Sequence, residues 1–120
     1  MTLDAAQHSK IEQELAVSLE KPDFSSASLW LTYYLNGAPT ALRELAGTLG
    51  KHGYVNLDGW ESDFLYPKQP CIPKSDDIAR KIEDLRSVCE PRSIEMLHVD
   101  LDTSSNVGGS AFQTLIEFAH

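Results

Sequence analysis

Leu29-Trp30-Leu31-Thr32-Tyr33-Tyr34-Leu35 is a run of large, β-favouring residues set between a Ser-rich lead-in and Asn36-Gly37, and its reading decides the fold. Alternation puts Leu29, Leu31, Tyr33 and Leu35 on one face and Trp30, Thr32 and Tyr34 on the other. Neither face suits bulk water. The stretch therefore reads as a central strand, with both faces covered or used.

Downstream, residues 36–40 make a turn that opens a helix, with Pro39 or Thr40 in its first turn and Leu42, Leu45 and Leu49 buried. Gly53 stands where a left-handed residue ends a helix, and Tyr54 can close over Leu49. Asp58-Gly59 suits a type I′ turn and predicts a hairpin of 54–57 with 60–66, placing Trp60, Phe64 and Tyr66 on one face and Glu61, Asp63 and Leu65 on the other. Pro67, Pro70 and Pro73 mark the next seven residues as an irregular loop. Ser75 with Asp76 and Asp77 starts another helix, in which Ile78, Ile82, Leu85 and Val88 or Cys89 repeat until Pro91. Residues 94–102 alternate as a strand, with Leu97, Val99 and Leu101 on one side and Met96, His98, Asp100 and Asp102 on the other. After a loop over 103–110, residues 111–118 form a last strand with Phe112, Ile116 and Phe118 inward and Gln113, Leu115 and Glu117 outward.

Upstream, Leu3, Gln7, Ile11, Leu15 and Leu19 trace a narrow helical face that Asp4 or Thr2 can cap, and residues 21–26 break the helix as a linker. Residues 1–26 are thus a helix and linker, and 27–120 an α+β domain in the order β-α-β-β-α-β-β. That order predicts a ferredoxin-like split βαβ sandwich with an extra N-terminal helix and an extra C-terminal edge strand.

Eighteen acidic against ten basic residues give a net charge of -8, which opposes phosphate backbones and anionic membranes. Direct nucleic-acid binding is not expected on that ground, and no apolar run approaches the ~20 residues of a membrane span. With no signal-like N-terminus, the expected address is the cytoplasm. The acidity implies either a basic protein partner or a surplus of solvated carboxylates. Cys71 and Cys89 flank a helix of ~14 residues, which separates its ends by roughly 21 Å. A disulfide needs Cα atoms within about 7 Å, so both are expected as free thiols.

From residue 27 to 118 the order of elements resembles the small acidic bacterial proteins called regulator of ribonuclease activity B. The local likeness lies in Leu29 to Leu35, in Leu49-Gly50-Lys51-His52-Gly53-Tyr54-Val55, and in the helix before the C-terminal strand. The resemblance implies a protein that inhibits an endoribonuclease by binding it. Immunity proteins that neutralise nuclease toxins are similar in size and acidity. The long acidic tail and aspartate clusters typical of the ribonuclease regulators are not in this sequence.

If the Leu-rich faces pack under helices, the opposite sheet face gathers Trp30, Thr32, Tyr34, Glu61, Asp63, His98, Asp100, Asp102, Gln113 and Glu117. Trp30, Tyr34, Glu61, Asp63, His98, Asp100, Asp102 and Glu117 are the candidate partner-binding residues, aromatics for contact area and carboxylates for steering and pairing with Arg or Lys. The first reading is a non-enzymatic inhibitor or regulator of a basic ribonuclease or nuclease toxin, with no catalytic residue, metal or cofactor. The second is a small enzyme or metal/ligand-binding domain using His98-x-Asp100-x-Asp102. Side chains at i and i+2 start about 7 Å apart, so short Asp residues converge poorly on one ion. A third is a homodimer with the open face against its own copy. The N-terminal helix covering the aromatics is the competing structural reading.

Overall fold

The computed structural model describes residues 2–25, 28–103 and 111–118 of the 120-residue chain. Nine elements follow in order: α1 (Ala5–Leu19), α2 (Pro22–Ser25), β1 (Leu29–Asn36), α3 (Pro39–Gly50), β2 (Phe64–Leu65), β3 (Lys68–Cys71), α4 (Ser75–Cys89), β4 (Glu95–Asp102) and β5 (Phe112–Glu117), with 3-10 turns at Trp60–Ser62 and Glu90–Arg92. The architecture is mixed α+β, with a five-stranded antiparallel sheet in the order β2-β1-β4-β5 and β3 also paired with β1. The expected central strand is therefore central. Its odd face is sealed: Leu31, Tyr33 and Leu35 are fully buried together with Leu42, Leu45, Ile78, Ile82, Leu85, Val99 and Leu101.

Helix ends follow from local chemistry. Asp4 accepts from the Gln7 backbone N–H while the Gln7 side chain accepts from the Asp4 N–H, a reciprocal cap that starts α1. Pro39 in the first turn presets α3, and at its far end Gly53 takes φ 83° while the Tyr54 N–H donates to the Leu49 carbonyl at 3.3 Å. Asp76 and Asp77 lie in the first turn of α4, where the dipole favours them, and Asp77 binds both Arg80 and Lys81.

α1 belongs to the same core as the rest of the chain, through Leu3, Ile11 and Leu15, and lies against β5 and α4. Within the stretch expected as a linker, Pro22–Ser25 forms α2, which buries Phe24. Cys71 and Cys89 are both free.

Three further expectations are corrected. The hairpin at Asp58-Gly59 does not form. Gly59 is left-handed at φ 90°, but Asp58 is absent from the positive-φ residues, so the type I′ geometry that needs both is not met and the chain enters the 3-10 turn at Trp60. The proline-rich stretch is not an irregular loop either: Lys68–Cys71 pairs with β1, Pro70 lying opposite Trp30, because a residue without an N–H is tolerated on a strand of this kind. Between β2 and β3 the Pro67 carbonyl still accepts from the Tyr33 N–H. The predicted strand 54–57 shrinks to a single bridge, Val55 with Lys68. The parity of this region is consequently inverted: Leu65 is fully buried, while Phe64 and Tyr66 share the side of Tyr34.

The third correction comes from two register shifts. On β4 the pairing with β1 skips Leu97, so Met96 opposes Leu35 and is buried rather than facing away. On β5 it skips Leu115, so Gln113 opposes Leu101 on the core side, Phe112 opposes Asp102 on the other side and is 63% exposed, and Leu115 is fully buried. An extra residue in one strand reverses the parity of everything beyond it. The loop predicted over 103–110 lies outside the described residues apart from Thr103.

Candidate functional site

Strand register assembles three rows across the even face of β1. Pro70, Trp30, Asp102 and Phe112 form one; Lys68, Thr32, Asp100 and Thr114 form the next; Tyr34, His98 and Glu117 form the third. Tyr66 joins the last row, its ring edge-on to Tyr34 with centroids 5.2 Å apart, and Phe64 stacks on Tyr66 at 6.4 Å. The His98 ring lies flat on Tyr34 at 3.8 Å.

The centre of this face is polar and buried. Lys68 is only 2% exposed, and its Nζ passes over β1 to donate to Asp102 Oδ2 at 2.7 Å. Such a pair holds two charges out of water at a desolvation cost that its attraction offsets only while both partners are present. Asp100, 3% exposed, accepts from Thr114 Oγ1 at 2.8 Å and lies 3.8 Å from His98 Nε2. Tyr34 has its phenol pushed up to about 12, by burial first, then by the charge of Asp100 and the hydrogen bond to it. At neutral pH the phenol therefore keeps its proton. Thr32 is buried between Lys68 and Asp100, and its hydroxyl makes no hydrogen bond among the described residues.

The sequence-derived candidates divide accordingly. Trp30, Tyr34 and His98 are half-buried on this face, and Glu117 is exposed beside His98. Asp100 and Asp102 share the face but are buried, so they stiffen its interior instead of offering open carboxylates. Glu61 and Asp63 are exposed but stand at the 3-10 turn ahead of β2 and not on a strand face; Asp63 is left-handed at φ 72°, and its carbonyl accepts from Gly37 N and Asn36 Nδ2. Gln113 turns to the helix side, where it binds Glu14 and Lys21.

Sequence reasoning missed Lys68, Tyr66 and Phe112. The alternation Phe64, Tyr66, Lys68, Pro70 was the available signal, hidden by the prolines that argued for a loop. Among the described residues no three His, Cys, Asp or Glu side chains converge as a metal site. No described helix is long and apolar enough to cross a membrane. Comparisons with protein-family models, curated proteins and solved structures return no match.

Proposed function

We propose that this chain is a non-enzymatic binding protein of the inhibitor or immunity type, acting in the cytoplasm on a basic partner enzyme such as a ribonuclease or nuclease toxin. The observation that carries the reading is the open face itself: Trp30, Tyr34, Tyr66 and Phe112 present rings around a buried polar centre, with Glu117 beside them and Glu61 and Asp63 in the segment that leads into β2. Desolvated aromatics supply contact area, and a chain of net charge -8 steers a basic surface toward them. Its resemblance to the ribonuclease regulators supports the same class.

For the fold we infer a ferredoxin-like sandwich. Its support is the sequence β1, α3, the bridging stub at Val55, β3, α4, β4, with β1 between β3 and β4, and with α1 and β5 as additions. The enzyme reading is less well supported, since Asp100 and Asp102 are engaged with Thr114 and Lys68 inside the sheet face.

Affinity capture from lysate of the source cells, at low and high salt, tests the proposal. Wild-type bait is expected to retain a basic protein at low salt and lose most of it at high salt, and Trp30→Ala with Phe112→Ser to lose it at both. A catch indifferent to both substitutions would move the binding surface elsewhere.

A further inference from the structure

We propose a second contact for the same partner: the free edge of β5 receives an extended, basic segment as an added strand. This rests on the reading above that the partner is basic, and it gives that partner a backbone-recognition site along the outer edge of β5, the strand that also carries Phe112 and Glu117 of the aromatic face.

β5 ends the sheet order, paired with β4 and with no other described strand, so N–H and C=O groups along its outer edge face away from the sheet, with the alternation broken at the Leu115 bulge. Natural sheets blunt such edges with proline, lysine or a covering segment. The opposite side of this sheet has two of these devices, Pro70 within β3 and the Val55 bridge across Lys68, which exchanges N–H and C=O with it at 2.9 and 3.0 Å. β5, Phe-Gln-Thr-Leu-Ile-Glu, has neither proline nor lysine.

A wall stands beside that edge. α1 and β5 enclose a cleft of about 560 Å³, with Asp4, Gln7 and Glu14 on the helix and Thr114, Ile116 and Glu117 on the strand. The two walls are tied together by Gln113, which donates from Nε2 to Glu14 Oε2 at 2.8 Å and accepts from Lys21 Nζ at 3.2 Å. A groove between an edge strand and a helix is the setting in which an extended peptide adds to a sheet, its backbone giving affinity and its alternate side chains specificity. The charge of the groove selects the occupant. Among the described residues three carboxylates line it, Asp4, Glu14 and Glu117, with one lining cation, Lys10, already paired with Glu14 at 2.7 Å; Lys21 is held on Gln113 beside them. A second copy of this chain fits poorly, because pairing β5 with β5 would bring two acidic walls together.

The probe is a short synthetic peptide of alternating Lys and Val, titrated into the ¹⁵N-labelled full chain. Controls are the same peptide with every backbone nitrogen methylated and one with Glu for Lys. Amides of 112–117 and of 4–14 are expected to shift. Binding should weaken at least about tenfold on methylation, as loss of even one or two backbone hydrogen bonds requires, and also weaken with Glu117→Lys. Trp30→Ala should leave it unchanged. Equal binding of the methylated peptide would overturn the inference in favour of charge alone. Shifts confined to Trp30, Tyr34 and His98 would overturn it while leaving the aromatic-face proposal standing; normal β5 shifts with a lysate catch insensitive to Trp30→Ala would do the reverse.

Discussion

Replacing Lys68 with Met removes the cation from a buried ion pair while keeping an unbranched stem of similar length. Lys68 is 2% exposed and holds Asp102 at 2.7 Å, so the substitution withdraws that ammonium from a carboxylate that is itself mostly out of water. Breaking a buried pair from one side costs about 3–5 kcal/mol, a large share of the ~5–15 kcal/mol that holds a domain together. With an unfolding entropy of about 2.1 cal/mol/K per residue, each kcal/mol is worth roughly 4 °C here, so Tm should fall by about 12–20 °C. Lys68→Met with Asp102→Leu removes both charges and should recover most of the loss, since an apolar pair of similar volume is often as stable as the ionic one. Urea unfolding at neutral pH, with the slope checked for two-state behaviour, measures both. A single-variant cost under about 1 kcal/mol, or a double variant no better than the sum of its parts, would refute the view that this pair organises the centre of the face.

Leu85→Ala should cost about 2–5 kcal/mol in the same assay, because Leu85 is 1% exposed between α4 and the sheet. Ser93 is left-handed at φ 54°, so Ser93→Gly is expected to stabilise by about 1 kcal/mol, and a loss would mean its side chain contributes more than its backbone costs. Burial raises Cys71 and Cys89 from 9.0 to about 12, and Tyr34 from 10.0 to about 12. The unfolded chain gives up these protons first, so their stability is fully present below about pH 9 and is lost as pH rises from there toward 12. A urea midpoint that stays flat from pH 8 to 11, in roughly that window, would contradict it.

How much of this was legible differed from element to element. β1, α3 and α4 could be read because each signal was local and redundant: alternation with large residues in one, a glycine stop after a leucine stripe in another, acidic residues ahead of Ile78, Ile82 and Leu85 in the third. The placing of Trp30, Tyr34 and His98 on one face followed from period two alone. Phe112 and Met96 were misplaced because a bulge is a decision of the partner strand, visible only once Leu97 and Leu115 fall out of register. The burial of Asp100 and Asp102 was equally hidden, since it depends on β3 lying beside β1 and bringing Lys68 across it.

Hydroxyl-radical footprinting of the chain, free and in complex with the captured basic partner, tests the central claim most directly. In the free protein Tyr66 and Phe112 should be oxidised readily and Tyr33 hardly at all. With the partner bound, Trp30, Tyr66 and Phe112 are expected to become protected together. Rings that stay fully reactive in the complex, with protection confined to the outer surface of α3, would contradict the assignment of the open face as the binding surface.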